Sequence, residues 1–377
     1  MRSGRGCRRG VLASVNTNRS ERRICIVPQA RGVGGMVTFT QKLKDGLSRE
    51  GIEVTHRLDA APIQAVLVVG GTRALAGLWR AKRAGIPIVQ RLDGMNWLHR
   101  RRGLMGAGLR HYLRAEYGNY LLAFIRRRLA DRIVYQSEFA RDWWKRQKGA
   151  TRAAHWVIHN GVDLARYSPH GTEEPPEDCW RVLMVEGSLM GGYELGLQVA
   201  LRFMGRLAQQ LRAQPVQEYP GRLELQIVGR VAEALRRGLE QEIGAAGEAA
   251  NFEVNWAGLA PPEQIPAIDR SAHLLYSADI NPACPNSVIE ALACGLPVAA
   301  FDTGALPELV YGDAGRIVPY GGDPWRLETP DTARLAEAAL EILMDQPRFR
   351  TAARRQAEQR FGLERMVAAY LEVLLEA

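Results

Sequence analysis

The sequence predicts an α/β protein made of two doubly wound parallel-sheet domains that face each other across a crevice. Short apolar runs alternate with helical stretches along the chain, as in a parallel sheet covered on both faces. The alternation stops at a polar, proline-rich stretch near the middle, SPHGTEEPPED, and then restarts. The first half opens on a strand, a glycine-bearing loop and a helix, the unit with which such a sheet begins.

Composition sets the bounds. A chain of 377 residues has room for two domains of ordinary size, each with its own core. A formal net charge of +9 and a pI near 9.5 favour acidic partners: nucleotides, phosphates, an anionic membrane or nucleic acid. Much of the excess is clustered at Arg8-Arg9, Arg22-Arg23, Arg100 to Arg102 and Arg126 to Arg128, where solvated faces are the plainer reading. Aromatic residues do not interleave with basic ones on a recognition motif, so no nucleic acid is expected as a partner. The five cysteines, Cys7, Cys25, Cys179, Cys284 and Cys294, lack metal-ligand or redox-pair spacing. A sparse, odd set fits a reducing, cytoplasmic compartment. No apolar run is long enough to span a membrane. Residues 1–22 are basic without the apolar centre of a signal peptide and read as a disordered leader.

In chain order, Arg23 to Pro28 reads as a buried strand, and the loop Gly32-Val33-Gly34-Gly35 leads into an amphipathic helix ending near Arg49. The loop lacks the third glycine of the dinucleotide fingerprint. Further strands are expected at Ile52 to Thr55, Ala65 to Val69, Ile86 to Gln90, Arg132 to Tyr135 and Trp156 to His159. Asp93, Gly94 and Asn96 follow the C-terminal end of one of them, the end that carries the ligand crevice in open α/β sheets. Asp93 is therefore a catalytic or acceptor-binding candidate, with an Asx-type turn before Gly94 as the other reading. Leu104 to Leu129 reads as one helix that mixes tyrosines, leucines and arginines. Such a mixture suits peripheral contact with an anionic membrane, or simply a long helix with one core face.

The turn at Asn160-Gly161 and the polar stretch after it mark the domain boundary. The expected division is 23–165 for the first domain, 166–179 for a linker and 180–359 for the second domain, with the last residues reading as helices. Strands in the second half are expected at Arg181 to Val185, Leu223 to Val228, Phe252 to Trp256, His273 to Tyr276 and Pro297 to Phe301, with a helix from about Gly192. The stretch Asn281 to Glu308 carries the strongest chemical signal. A proline-bounded loop enters a helix over Asn286 to Ala293, a Gly-Leu-Pro turn ends it, and a strand empties into Asp302-Thr303-Gly304 before another helix. Two loops ahead of two helix starts suit an anion with an attached polyol, because unpaired N–H groups at a helix N-terminus favour negative charge.

Residues from about 23 to 377 resemble a family 4 glycosyltransferase with the GT-B fold, two Rossmann-like domains facing a crevice. The resemblance rests on several segments in order. They are Gly34-Gly35 before the first helix, Gln136-Ser137-Glu138-Phe139, Asn160-Gly161-Val162-Asp163, Ile227-Val228-Gly229, and above all Asn286 to Val298 with Gly304 and Glu308. It implies metal-independent transfer of a sugar, with retention of configuration, from a nucleotide-sugar donor to an acceptor hydroxyl on a glycan, a lipid-linked molecule or a small molecule. It implies no cofactor beyond that co-substrate, donor binding on the second domain, acceptor binding on the first, and a final helix at about 360–377 packing back on the first domain. No Asp-x-Asp pair occurs to hold a metal.

Placed on this chain, the resemblance puts the ribose-binding carboxylate at Glu290, on the second of the family's paired glutamates. Asn286, Ser287 and Val288 would offer N–H groups to phosphate or sugar, Thr303 and Gly304 would line the adjoining loop, and Glu308 would cap or pair. Gly34, Gly35 and Asn96 are expected on the acceptor side or as a phosphate loop of the first domain. Two departures stand out. Pro282 occupies the place of the first paired Glu, and Ser188 and Tyr193 occupy the places of the Arg and Lys that clamp the donor phosphates. Losing one positioned oxyanion donor typically costs about 10²- to 10³-fold in rate. Arg230, together with the glycine turn Gly191-Gly192, is the expected substitute for that clamp. A different activated sugar, or loss of activity with retention of binding, are the alternatives. Two other functions share the architecture: a non-catalytic sugar- or nucleotide-binding protein of polysaccharide assembly, and a sugar-nucleotide epimerase.

Overall fold

The computed structural model describes residues 22–30, 32, 34–60, 62–189, 194–214, 221–246 and 251–376. The first half runs β1 (Arg23–Val27), α1 (Gly35–Arg49), β2 (Glu53–Thr55), β3 (Ala65–Val69), α2 (Leu75–Arg83) and β4 (Ile88–Leu92), then α3 (Leu98–Ala107), α4 (Leu109–Arg128), β5 (Arg132–Tyr135), α5 (Glu138–Lys148) and β6 (Ala154–Val157). The second half runs β7 (Trp180–Ser188), α6 (Glu194–Arg212), β8 (Leu223–Arg230), α7 (Glu233–Ala246), β9 (Glu253–Gly258), α8 (Ile265–Arg270) and β10 (Leu274–Tyr276). It continues with α9 (Asn286–Ala293), β11 (Val298–Phe301), α10 (Leu306–Leu309), β12 (Gly315–Val318), α11 (Thr332–Met344), α12 (Gln346–Arg360) and α13 (Leu363–Leu371).

Both sheets are six-stranded and parallel. Their orders are β2-β1-β3-β4-β5-β6 and β12-β11-β10-β7-β8-β9. Such sheets need helices on both faces, and the burial alternates accordingly. Along β3, Ala65, Leu67 and Val69 enter the core shared with α1 and α13, while Val66 and Val68 enter the one beneath α2 and α4. In β7, Val182 and Met184 face α6 and α11, while Leu183 faces the helix α9 side. The strand order reverses between β1 and β3 in one sheet and between β7 and β10 in the other, and ligands gather beyond the carboxyl ends at such points.

The chain crosses between the halves twice. Val162 and Gly362 form a parallel bridge, with Val162 N–H donating to Phe361 O at 2.8 Å and Leu363 N–H donating to Val162 O at 2.9 Å. After that crossing α13 lies on α1: Met366, Val367 and Tyr370 share a core with Phe39, Leu43 and Leu47. Gly46 makes the approach possible, since a Cβ there would stand 2.3 Å from a Val367 methyl.

Five sequence expectations change. The strand read at Ile86 to Gln90 runs over Ile88–Leu92, two residues later, because it pairs in register with Val66 to Val69. The segment read as one helix over Leu104 to Leu129 is two helices, α3 and α4, the first beginning at Leu98. Gly103 and Gly108 have φ of 62° and 75°, left-handed values that interrupt helical geometry. The strand expected at Trp156 to His159 lies two residues earlier, because its register is fixed by pairing with Arg132 to Tyr135. Gly161 is not the left-handed residue of a tight turn; it gives room at the crossing, where a Cβ would sit 3.0 Å from Leu363 Cα. Finally, β12 was not expected from Gly315-Arg316-Ile317-Val318, yet it pairs along Val298 to Phe301.

Candidate active site

The carboxyl ends of the two sheets face one cavity of about 1140 Å³. Gly34, Gly35, Asp93, Asn96, Asn286, Ser287 and Glu290 all line it, so the structure brings together seven of the residues singled out from sequence. Val288 turns its side chain into the core at 0% exposure, leaving only its backbone to the site. Thr303 and Gly304 lie behind the lining: Gly304 packs so tightly on Pro282 that a Cβ would fall 2.4 Å from the proline nitrogen. Ser188 and Arg230 pair in register across β7 and β8, both exposed, and neither lines the cavity. Gly191, Gly192 and Tyr193 lie outside the described residues.

Helix α9 aims its N-terminus at the cavity. Pro285 stands at its cap position and offers no side-chain acceptor, so the first-turn N–H groups are not satisfied by a cap. Asn286 is held by Asn160, whose Nδ2 donates to Asn286 Oδ1 at 3.0 Å and to Cys284 O at 3.1 Å. Asn160 Oδ1 in turn accepts from the Arg91 guanidinium at 2.9 Å. This chain of contacts joins strand β4 of the first sheet to helix α9 of the second half.

Arg91 was not singled out from sequence. It is 2% exposed, lies 3.6 Å over the Phe39 ring and lines the cavity floor, and its Nε is buried with no partner. No carboxylate pairs with it among the described residues. The strand expected from sequence stopped at Gln90, one residue short of it, whereas the observed strand Ile88-Val89-Gln90-Arg91-Leu92 includes it. Two residues on, burial pushes the Asp93 carboxyl above its usual range, and the Arg91 charge pulls it partly back. The Asp93 backbone is fixed by Trp144, whose Nε1–H donates to its carbonyl at 2.7 Å.

The second half contributes acid. Glu290 is 8% exposed and its Oε1 accepts from Lys42 Nζ of α1 at 2.9 Å, across the crevice. Lys42 also donates to Gly161 O at 3.2 Å. Lys42 had no sequence signal beyond standing seven residues after Gly35, two turns along the same face. Glu186 and Asp279, also missed, sit at the strand reversal between β7 and β10. Burial raises the Glu186 carboxyl well above its usual range, with the neighbouring Asp279 adding to the effect. Burial likewise raises Asp279 to about 6. Gly229 lets β8 close on this corner, since a Cβ there would lie 2.1 Å from Glu186 O.

Glu308 acts where the halves meet. Its two carboxylate oxygens accept the N–H groups of Glu138 and Phe139 at 2.8 and 2.6 Å, and His159 Nε2 approaches one of them at 3.5 Å. It therefore caps α5 from the other domain, beside the Ser137 hydroxyl that accepts from Ala140 N–H. Burial would raise this carboxyl, but the bonds from His159, Phe139 and Glu138 together hold it below the usual range.

Comparison with known proteins agrees with this geometry. The family profile described as Glycosyl transferases group 1 matches residues 182–345, and that of Glycosyltransferase Family 4 matches residues 57–166. The two matches, one in each half, support a member of the family 4 glycosyltransferases with the GT-B fold. The chain is 28% identical over 199 residues to a D-inositol 3-phosphate glycosyltransferase of Corynebacterium jeikeium, a match spanning 46% of this chain and 42% of that relative. Among solved structures, a sucrose-phosphate synthase of Thermosynechococcus elongatus superposes with a TM-score of 0.67 at 16% identity, covering 94% of this chain and 98% of that one. HepE of Anabaena, solved with UDP-glucose, superposes with a TM-score of 0.62 at 16% identity, covering 93% and 99%. At these identities the structural likeness establishes the fold.

Proposed function

We propose that this protein is a glycosyltransferase that moves a sugar, with retention, from a nucleotide-sugar donor to an acceptor hydroxyl. The observation that carries the reading is the uncapped N-terminus of α9 facing a cavity between the carboxyl ends of two parallel sheets. The nucleotide-sugar complex of HepE supports a donor of that class. In this reading the α9 N–H groups of Asn286, Ser287 and Val288 receive the diphosphate, whose growing charge at the leaving step needs fixed donors. Glu290 takes the ribose hydroxyls through Oε2 while Lys42 holds Oε1. Asp93 faces the acceptor hydroxyl, and the burial that raises its carboxyl makes it a readier proton acceptor than a solvated one.

Arg91 is the best-placed source of the positive charge that Ser188 and Tyr193 do not supply. It reaches the cavity from the opposite sheet, whereas Arg230 stands outside the lining. The transfer is proposed to be of hexosyl type and metal-independent, in a cytoplasmic setting. The test is to incubate the purified protein with a panel of nucleotide sugars and follow nucleotide release with and without candidate acceptors. Acceptor-dependent release is expected, unchanged by a chelator. Release that ignores the acceptor would point to hydrolysis or epimerisation instead. Absence of any donor binding would end the reading.

A further inference from the structure

The outward side of α4 carries an apolar stripe that the transfer reading leaves unused. Leu109, Leu113, Tyr117 and Tyr120 are 60%, 58%, 48% and 62% exposed. Their spacing puts them within an arc of about 80° on one helix face. The opposite side holds the helix to the fold, through Ala115, Asn119, Leu121 and Ile125. Phe124 extends the stripe, stacked on Tyr120 with ring centroids 6.2 Å apart. Single exposed apolar residues are ordinary, but four in register form a patch.

Arginines occupy the flank between this stripe and the cavity. Arg110 and Arg114 each follow a stripe residue by one position, a rotation of about 100° around the helix. Arg114 lines the cavity with His111 of the same helix and Arg102 of α3. Arg102, Arg110 and Arg114 have no hydrogen-bond or ion-pair partner among the described residues. Two copies of the chain meeting stripe to stripe would press these arginines together, which disfavours a symmetric dimer here. No helix among the described residues is long and apolar enough to cross a membrane.

We propose that α4 seats the protein on an anionic lipid surface through Leu109, Leu113, Tyr117 and Tyr120, and that the acceptor is an anionic head group carried by a lipid. Leucine and tyrosine side chains enter the boundary between head groups and acyl chains, and arginines beside them are drawn to anionic lipid. The head group then passes Arg110 to reach Arg114, Arg102 and His111 at the cavity rim. The width of one helix, about 10 to 12 Å with side chains, separates the stripe from that rim. The docking stands on the surface alone; only the role of the head group as acceptor rests on the transferase reading.

The experiment is flotation of the full chain with vesicles of phosphatidylcholine alone, or of phosphatidylcholine and phosphatidylglycerol in equal amounts, without donor or acceptor. Binding to the anionic vesicles is expected, weakened by salt and roughly tenfold or more above that to the neutral ones. The double variant Leu113→Glu/Tyr117→Glu should lose that binding by about tenfold or more while keeping its thermal melt and its nucleotide affinity. No binding of the wild-type chain would overturn the proposal. So would binding that the double variant retains, or a wild-type dimer in light scattering that the double variant abolishes. A chain that floats but turns over no donor would leave the docking standing and remove the transferase reading instead.

Discussion

On the first sheet's side the cavity is lined by Arg91, Arg102, Arg114, His99 and His111 against one carboxylate, Asp93; on the second sheet's side stand Glu186, Asp279 and Glu290, with no lysine or arginine among the described residues. Both halves are six-stranded parallel sheets that reverse strand order beside their first strand, though in different orders, yet they present opposite charge to one ligand space. An anion seated at α9 is thus balanced mainly across the crevice rather than within its own domain. On the proposed transferase reading, turnover depends on the halves staying together, and the contacts from Lys42, Asn160 and Glu308 across the crevice then carry a functional weight beyond stability.

Changes on either side should break this asymmetry in graded ways. Asp93→Asn removes the one carboxylate of the cationic side and should lower transfer about 100-fold or more, with nucleotide affinity unchanged by calorimetry. A loss of affinity of the same size would move Asp93 to the donor. Glu290→Gln should weaken binding of a nucleoside diphosphate about tenfold or more, since charge-assisted bonds to the ribose are lost. Unchanged affinity would sink the ribose assignment.

The acidic corner should show itself in pH dependence. Asp279 holds its proton below about 6 and is charged above it. Repulsion of a diphosphate therefore grows as pH rises, and affinity for UDP should fall severalfold between about pH 5 and 8, the window set by that raised carboxyl. Asp279→Asn should flatten the wild-type trend beyond what titration of UDP itself explains. If both proteins follow the same curve, Glu186 and Asp279 do not face the phosphates.

The smallest effect is expected at the seam. Glu308→Gln should cost about 1 kcal/mol in a denaturant melt at neutral pH, the worth of a helix cap. Because the folded carboxyl is held below its usual range, this contribution is present above the ordinary carboxylate pKa and is lost as pH falls through the lowered folded value. Wild type and variant should therefore converge in acid.

Much of this arrangement was legible in the sequence because it is written in local patterns. Ala65 to Val69 is continuously apolar because both faces of its strand are buried, and its ends were read correctly. The helix over Asn286 to Ala293 was likewise read within its observed bounds, from the proline before it and the Gly-Leu-Pro turn after it. What escaped was long-range. Lys42 meets Glu290 across 248 positions of sequence, and Arg91 reaches Asn160 across 69. Neither partner carries a mark of the other. Strand β12 escaped for a different reason: Gly315 and Arg316 dilute a four-residue run whose pairing comes from its neighbour.

The return of α13 also sets an order of assembly during synthesis. The core around Phe39, Leu43 and Leu47 is completed by Leu363, Met366, Val367, Tyr370, Val373 and Leu374. Until the ribosome has released those residues, the first half carries an uncovered apolar face, open to chaperones and to wrong partners. Vectorial folding, domain by domain, can therefore finish the second sheet before the first. Truncation within residues 363–374 should leave a chain that aggregates through α1, although every residue of its cavity lining is present.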